Sequence, residues 1–242
     1  MKILKLSATD STNSYLRNLL RKSDVENWTV VTAEYQTKGK GQFSNKWISE
    51  EGKNLTFSIL VKFEKLSTDY QFYLNYSVSI AIYNVLKYYI SERITVKWPN
   101  DILSANKKIC GILIKCVLKN THVNHAIIGV GLNVNQTEFP SEFSATSIKN
   151  IIGHDVDRDE LLQKILLEMQ YQFILINRQR FDEIKQQYES ILYRKGTPSM
   201  FVDVENNKFL GKITGISLKG KLQVELDDES VKEFDLKEIR FA

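Results

Sequence analysis

Apolar residues recur along the chain with two different periods, and the places where one gives way to the other outline its elements. Tyr15, Leu16, Leu19 and Leu20 follow the helical spacing behind Asp10, Ser11, Thr12 and Asn13, a run of helix-capping residue types, so a helix is predicted to begin there. Residues 28–35 are rich in β-branched side chains, and Leu55, Phe57, Ile59, Val61 and Phe63 alternate with mostly polar or smaller residues; both stretches are predicted strands. Residues 70–90 are apolar nearly all round, which predicts a buried helix of about 20 residues, roughly 30 Å long, packed on a sheet. Three strands are predicted beyond it, over 94–98, 109–118 and 123–134, with polar turns at 104–106 and 119–121. Asp157 and Glu160 open an amphipathic helix carried by Leu161, Leu162, Ile165, Leu166, Met169 and Phe173, and Phe181, Ile184, Tyr188 and Ile191 extend or follow it. Past Gly196, Thr197 and Pro198 the pattern shortens into alternating runs separated by Asn206, Asn207, Gly220, Asp227 and Asp228, the pattern of a small β-barrel. A domain boundary is therefore placed between 1–195 and 196–242.

Composition narrows the class. A length of 242 residues fits one medium domain and a small one, and 43% apolar residues with only 3 prolines and 11 glycines excludes a collagenous or disordered chain. No window approaches the ~18 uninterrupted apolar residues of a membrane span, and the first ten residues hold too short an apolar run for a secretory signal, so a cytoplasmic protein with no membrane partner is expected. Cys110 and Cys116 lie six apart on one predicted strand, too far to pair, and are expected to be buried thiols. A net charge of +4 is too small and dispersed to argue for nucleic-acid binding.

Several chemistries are excluded by missing residues. Gly52-Lys53, Gly211-Lys212 and Gly220-Lys221 all lack the rest of a P-loop. Gly39/Gly41 and Gly129/Gly131 lack the third glycine of a dinucleotide fingerprint. His122, His125 and His154 have neither the spacing nor the cysteine neighbours of a zinc site, and no G-x-S-x-G is present. Four segments stand out instead. Residues 36–47 combine glycines that let backbone approach a ligand with Lys38, Lys40 and Lys46 and no carboxylate, although a solvated hairpin loop would carry the same residues. Lys97-Trp98-Pro99-Asn100-Asp101 ends a strand abruptly at Pro99 and projects Asn100 and Asp101 where the sheet finishes, as a plain turn also would. Lys108 stands at the mouth of an apolar strand that contains Gly111, either as a charge guarding against aggregation or beside a ligand. Gly129, Gly131 and Asn133 thin a neighbouring strand in the same way, which suggests a slot or a bulged sheet.

Taken jointly and in this order, Asp10-Ser11-Thr12-Asn13, Gln36 leading into Gly39-Lys40-Gly41 and Trp47, Lys97-Trp98-Pro99-Asn100-Asp101, Lys108-Ile109-Cys110-Gly111-Ile112-Leu113 and Gly129-Val130-Gly131-Leu132-Asn133 resemble the motifs of the biotin protein ligases. The resemblance spans residues 1 to about 194. It implies an α+β fold, a mixed β-sheet flanked by helices as in class II aminoacyl-tRNA synthetases and biotin ligases, with an SH3-like β-barrel at 196–242. It implies that biotin and MgATP give biotinyl-5′-adenylate and pyrophosphate, and that a lysine of a biotin carboxyl carrier protein then takes the biotin. On this pattern Lys108 would hold the biotin carboxylate and α-phosphate, Lys97 would assist, and Asp101 would help place Mg²⁺. Ser11, Thr12 and Gln36 would bond the ureido ring, Gly39 and Lys40 would close over the ligand, and Gly111, Gly129 and Gly131 would let the bicyclic ring lie against the sheet. Lys40 and Gln42 would face the adenylate, Asn100 and Asn133 would meet adenine, and Trp47 would supply an apolar wall.

Two departures from the family pattern bear on function. The family loop commonly runs Gly-Arg-Gly-Arg-x-Gly-Arg-x-Trp, but Lys40, Gln42, Ser44 and Asn45 stand at its varied positions here, so bidentate contacts are lost and a leaky hold on the adenylate is expected. The chain starts at the catalytic region without a helix-turn-helix, so no DNA partner is expected; a homodimer is left open. A lipoate or octanoate ligase or transferase, and a biotin-sensing module without chemistry, are the competing readings.

Overall fold

The computed structural model describes residues 1–91 and 93–242, and at Ser44 the backbone alone, so the side chain of that substituted loop position lies outside the described residues. Its body is a seven-stranded mixed sheet. β1 (Lys2–Thr9) runs parallel to β2 (Thr29–Gln36), joined through α1 (Thr12–Lys22), and β3 (Leu55–Lys62) lies antiparallel on the far side of β2. The chain then forms α2 (Phe72–Leu86) before building the other half of the sheet from β4 (Ile94–Lys97), β5 (Asp101–Ser104), β6 (Lys107–Lys119) and β7 (His122–Leu132). The order across the sheet is β1-β2-β3-β7-β6-β5-β4, so β7 returns to the middle and pairs with β3.

The period of two places successive residues on opposite faces. Val30, Phe57, Ile59 and Ile128 join one buried cluster with α2 and with α4 (Arg158–Asn177), while Val31, Leu60 and Ile127 join another with Leu16 of α1. The strand read at 55–63 is therefore covered on both faces. α4 starts where expected, with the Asp157 carboxylate accepting from the backbone N–H groups of Asp159 at 2.8 Å and Glu160 at 3.0 Å. α5 (Phe181–Ser190) follows as a separate helix, after Gln179 adopts a left-handed conformation.

Four expectations change. The long helix predicted over 70–90 spans only Phe72–Leu86: a 3₁₀ turn at Thr68–Tyr70 precedes it, and three-residue bonds from Tyr88 to Val85 and Tyr89 to Leu86 tighten its exit. Pro99 does not end the sheet but makes a hairpin, in which Lys97 and Asp101 are register partners and β5 continues inward. β1 and the short α3 (Ile148–Ile152) had no counterpart in the reading. The last 45 residues form five antiparallel strands, β8 (Pro198–Asp203), β9 (Lys208–Ile216), β10 (Leu222–Leu226), β11 (Val231–Phe234) and β12 (Ile239–Phe241), in the order β11-β10-β9-β8-β12. The edge strands β11 and β12, four and three residues long, are not paired with each other, so the sheet is not closed into the expected barrel among the described residues.

The small sheet is seated on the large one. Phe201, Ile213, Ile216, Leu222, Val224 and Phe234 share a buried cluster with α2, α4 and the main sheet. Glu189 at the end of α5 accepts from Ile216 N–H at 2.9 Å and pairs with Lys185 and Lys195; burial is the largest single effect and pushes its carboxyl up, but the contacts with Lys185, Ile216 and Lys195 together outweigh it and hold the carboxyl below its ordinary pKa.

Candidate active site

The site lies where α1, the 36–47 loop and the ends of β5, β6 and β7 meet. α1 begins at Ser11 in extended conformation, and the side chain of Ser11 makes no capping bond. The cap comes from across the sheet: Gln36 Oε1, at the end of β2, accepts from Thr12 N–H at 2.8 Å and stands 3.3 Å from its hydroxyl. The Thr12 hydroxyl lies 2.8 Å from Ser58 Oγ on β3. Ser11, Thr12 and Gln36 are thus brought together as a small polar end of the cleft, joined by Asn13 and Ser58, which carried no assigned role.

Glycines thin the floor, and they admit the protein's own side chains. Gly111 and Gly131 are register partners on β6 and β7, and the indole of Trp47 lies over both. A Cβ at residue 131 would stand 2.6 Å from Trp47 Cζ2, and one at residue 111 would stand 3.2 Å from Cζ3. Beside them, a Cβ at Gly129 would overlap the amide of Asn13. The space expected to receive a bicyclic ring directly against Gly111, Gly129 and Gly131 is filled here by Trp47 and Asn13. Both arrive with a buried polar atom that has no partner among the described residues, Trp47 Nε1 and Asn13 Oδ1.

At the other end, Lys108 Nζ meets Asp101 Oδ1 at 2.7 Å, with both side chains half-buried, and stands 5.8 Å from the Trp47 ring centre. The sheet explains the pairing: the hairpin at Pro99 turns the chain from β4 into β5, and β5 lies antiparallel to β6 with Asp101 opposite Gly111 and Leu103 opposite Lys108, a register shift between Ile102 and Leu103 shortening the stretch between Asp101 and Lys108. Asn100 is held by two bonds to Ile112, donating its side-chain amide to the carbonyl at 2.8 Å and accepting from the N–H at 3.0 Å through its own carbonyl. Asp101 is the one carboxylate lining the cleft among the described residues, against Lys40, Lys46 and Lys108, so the cleft is cationic.

The loop folds over this floor as a small hairpin, with Lys40 opposite Lys46 and Gly41 N–H donating to Asn45 O at 2.7 Å. Trp47 N–H donates to Gly39 O at 3.0 Å, and a side chain at 39 would strike the Trp47 carbonyl, which is why glycine stands there. Lys40 Nζ reaches Ser14 Oγ on α1 at 2.9 Å. Gln42 lines the cleft, and Phe43, held at a φ of 52°, packs under Lys237 of the small sheet with Nζ 4.1 Å from its ring centre.

Two predicted residues stand apart. Lys97 lies against Phe241, 5.4 Å from its ring centre, in an adjoining depression that shares Asp101 and Lys108 with the cleft. Asn133 is buried outside the cleft lining, donating to Thr146 O at 2.9 Å. It anchors the segment whose backbone brackets Lys108: Lys108 N–H donates to Ser144 O at 2.8 Å and Thr146 N–H to Lys108 O at 2.9 Å. No local pattern in residues 144–146 marks that contact.

Residues 6–133 match the model of the biotin/lipoate A/B protein ligase family. The chain is 32% identical over 227 residues to the bifunctional ligase/repressor BirA of Bacillus subtilis, covering 92% of this chain and 68% of that protein. It is 25% identical over 173 residues to the biotin–[acetyl-CoA-carboxylase] ligase of Mycobacterium tuberculosis, covering 70% and 63%. The structure of the Aquifex aeolicus biotin protein ligase in complex with biotin and ATP superposes with a TM-score of 0.81 at 29% identity, over 100% of this chain and 99% of that one. The chain belongs to the biotin/lipoate A/B protein ligase family, as an enzyme of the biotin protein ligase kind.

Proposed function

We propose that this enzyme joins biotin to a lysine of a biotin carboxyl carrier protein through biotinyl-5′-adenylate. The observation that carries the reading is the pairing of opposite chemistries at the two ends of one cleft. One end offers a buried acceptor, Asn13 Oδ1, unpartnered among the described residues, together with the hydroxyls of Thr12 and Ser58. A ureido ring brings N–H donors to such an end, and the cost of leaving a buried acceptor unmet favours a ligand that supplies them. Lipoic and octanoic acids bring none. The other end holds Lys108 and Asp101 in a cationic setting, as the meeting of a carboxylate with a phosphate demands.

In the first step a biotin carboxylate oxygen attacks the α-phosphorus of ATP, the bond to the β-phosphate bridging oxygen breaks, and pyrophosphate leaves. Lys108 would meet the two converging anions with the ammonium N–H groups that Asp101 does not take, and Lys40 and Lys46 would add positive charge from the loop. In the second step the neutral amine of the acceptor lysine attacks the acyl carbon, AMP leaves with the electron pair, and the amine proton passes to solvent. Asn100, its amide committed to Ile112, would line the adenine side, and Asn133 would act from behind by fixing the segment against Lys108. Lys97 would serve the polyphosphate from the adjoining depression.

Magnesium would enter with the nucleotide. No group of three or more metal-ligating side chains occurs among the described residues, so Asp101 would give one oxygen and the phosphates and water the rest, a donor set that suits this ion. Bound there, it would neutralise charge on the departing pyrophosphate.

The test is biotin-dependent exchange of pyrophosphate into ATP, followed by transfer of label to a purified carrier domain. Lys108→Ala should slow exchange by roughly 10² to 10³, the usual loss for a donor at developing charge, with unchanged thermal unfolding. No exchange by the unaltered protein, or exchange with lipoic acid in preference to biotin, would overturn the reading.

A further inference from the structure

The small net charge conceals a strong asymmetry. Residues 11–23, 35–49 and 102–137, which supply most of the cleft lining, contain ten of the 33 lysines and arginines and not one aspartate or glutamate, and Asp101, just outside them, is the one carboxylate of the cleft among the described residues. The other 23 cations share the rest of the chain with all 29 acidic residues. Beside the cleft, and sharing Lys40, Lys46 and Trp47 with it, is an open depression whose floor exposes Tyr35, Phe43 and Ile48. Lys38, Lys40, Lys46 and Lys115 line it, and Arg17 of α1 stands near enough to act on Lys115. The Lys115 ammonium is held below its ordinary pKa first by partial burial, then by Arg17 and Lys40. Lys38 has a loose pair with Asp10 at 3.8 Å; Arg17, Lys40, Lys46 and Lys115 have no carboxylate in ion-pair range among the described residues.

An apolar centre with an uncompensated cationic rim is the anatomy of a surface that binds a partner of opposite charge. We propose that this depression is the docking face for the acceptor protein, and that it selects acceptors whose target lysine is flanked by surface carboxylates. The inference rests on the ligase reading above and names what recognises its protein substrate. It follows from the chemistry of transfer. The acceptor must present an amine at an entrance crowded with like charge, which repels an ammonium and favours the neutral form that attacks. Carboxylates beside that lysine, meeting Arg17, Lys38 and Lys115, supply the attraction that the lysine itself cannot. Nucleic acid would also meet a cationic face, but the depression opens into the cleft that must admit an amine, and a protein carries one there.

The experiment compares a carrier domain with its surface carboxylates intact and one with those nearest the target lysine changed to amides. Acceptor kcat/KM is measured beside biotin-dependent pyrophosphate exchange, which uses no acceptor. Acceptor kcat/KM is expected to fall ~10-fold or more between about 50 and about 300 mM sodium chloride, and by a similar factor in Arg17→Glu/Lys115→Glu, with exchange changed less than about 2-fold. The amide carrier should lose most of the salt dependence. Retained exchange reports a folded site in the variant, and Arg17→Gln/Lys115→Gln gives a milder step if the reversal unfolds it. Retained exchange with unchanged kcat/KM in both variants overturns the docking face, as does loss of duplex DNA binding in the variant without loss of transfer. Absence of exchange in the unaltered protein instead removes the ligase reading itself.

Discussion

The indole of Trp47 rests directly on the backbone of Gly131, closer than any side chain at 131 would permit, with its Nε1 buried and without a partner among the described residues. The contact ties the far end of the loop to the centre of the sheet through a position that glycine alone can fill. Any ligand that lies along the cleft must share this wall or displace it.

Gly131→Ala should push the indole out of its seat. Overpacking of this kind costs about 1–3 kcal/mol where the neighbour cannot yield, but here the neighbour sits on a loop and moves, so the loss should fall on binding more than on stability. Labelling with 5-fluorotryptophan, with the Trp47 resonance assigned by Trp47→Phe, should reveal a shifted and broadened signal, and KM for ATP should rise. An unshifted resonance would count against the contact.

Gln36 reaches across from β2 to cap α1, so Gln36→Ala should remove the acceptor of Thr12 N–H and lower stability by about 0.5–2 kcal/mol, the usual worth of a cap. Gln36→Glu keeps an acceptor and should restore most of the melting temperature. Equal melting temperatures for all three proteins would show that the cap is not needed.

Gln42 faces the cleft where the family commonly has arginine. A neutral amide cannot make the paired, charged contact that a guanidinium makes with phosphate. Without acceptor, free biotinyl-adenylate should therefore escape severalfold faster than from Gln42→Arg, measured by trapping the released adenylate with hydroxylamine. Escape at the same rate from both would sink the idea.

Burial pushes Cys116 up to about 11 and raises Cys110 further, the latter against the pull of Lys108 and with a small push from Asp101. Neither thiol should react with iodoacetamide at neutral pH in the folded protein, and both should react in urea. In the unfolded chain they titrate near their ordinary value of 9.0. The stability gained by keeping them protonated is therefore complete below that pH, and for Cys116 it is lost as pH rises towards about 11. Unfolding titrations between neutral pH and that value, compared with Cys110→Ala/Cys116→Ala, should show the slope in the parent and a smaller one in the variant.

Elements with strong periods and long runs were legible. The capped start of α4 follows from Asp157, and the strands of β3, β6 and β7 follow from apolar alternation and β-branched content. β1 was not, because at the parallel edge of the sheet Lys2 and Lys5 face solvent and too few apolar positions remain to mark a strand. β5 was hidden by its four residues and by Pro99, which read as the end of the sheet although it turns the chain back into it. The fifth helix was ambiguous because the break before it depends on the left-handed Gln179, a residue with no strong turn signature.

Residue types alone determined the site's inventory: a carboxylate-free, lysine-bearing loop, an Asn-Asp pair after proline, a lysine before a thinned strand, and two glycines spaced to share a face of the next. Such features are local, since they depend on spacing along a few residues of one strand or loop. Only the tertiary structure decided which of them meet. It put Lys108 against Asp101 by folding β5 onto β6, gave α1 its cap from Gln36 24 residues away, filled the glycine slot with Trp47, and moved Asn133 behind the site. Those choices are pairings between distant segments. They are set by sheet order and by what packs above each strand, and neither leaves a periodic trace in the chain.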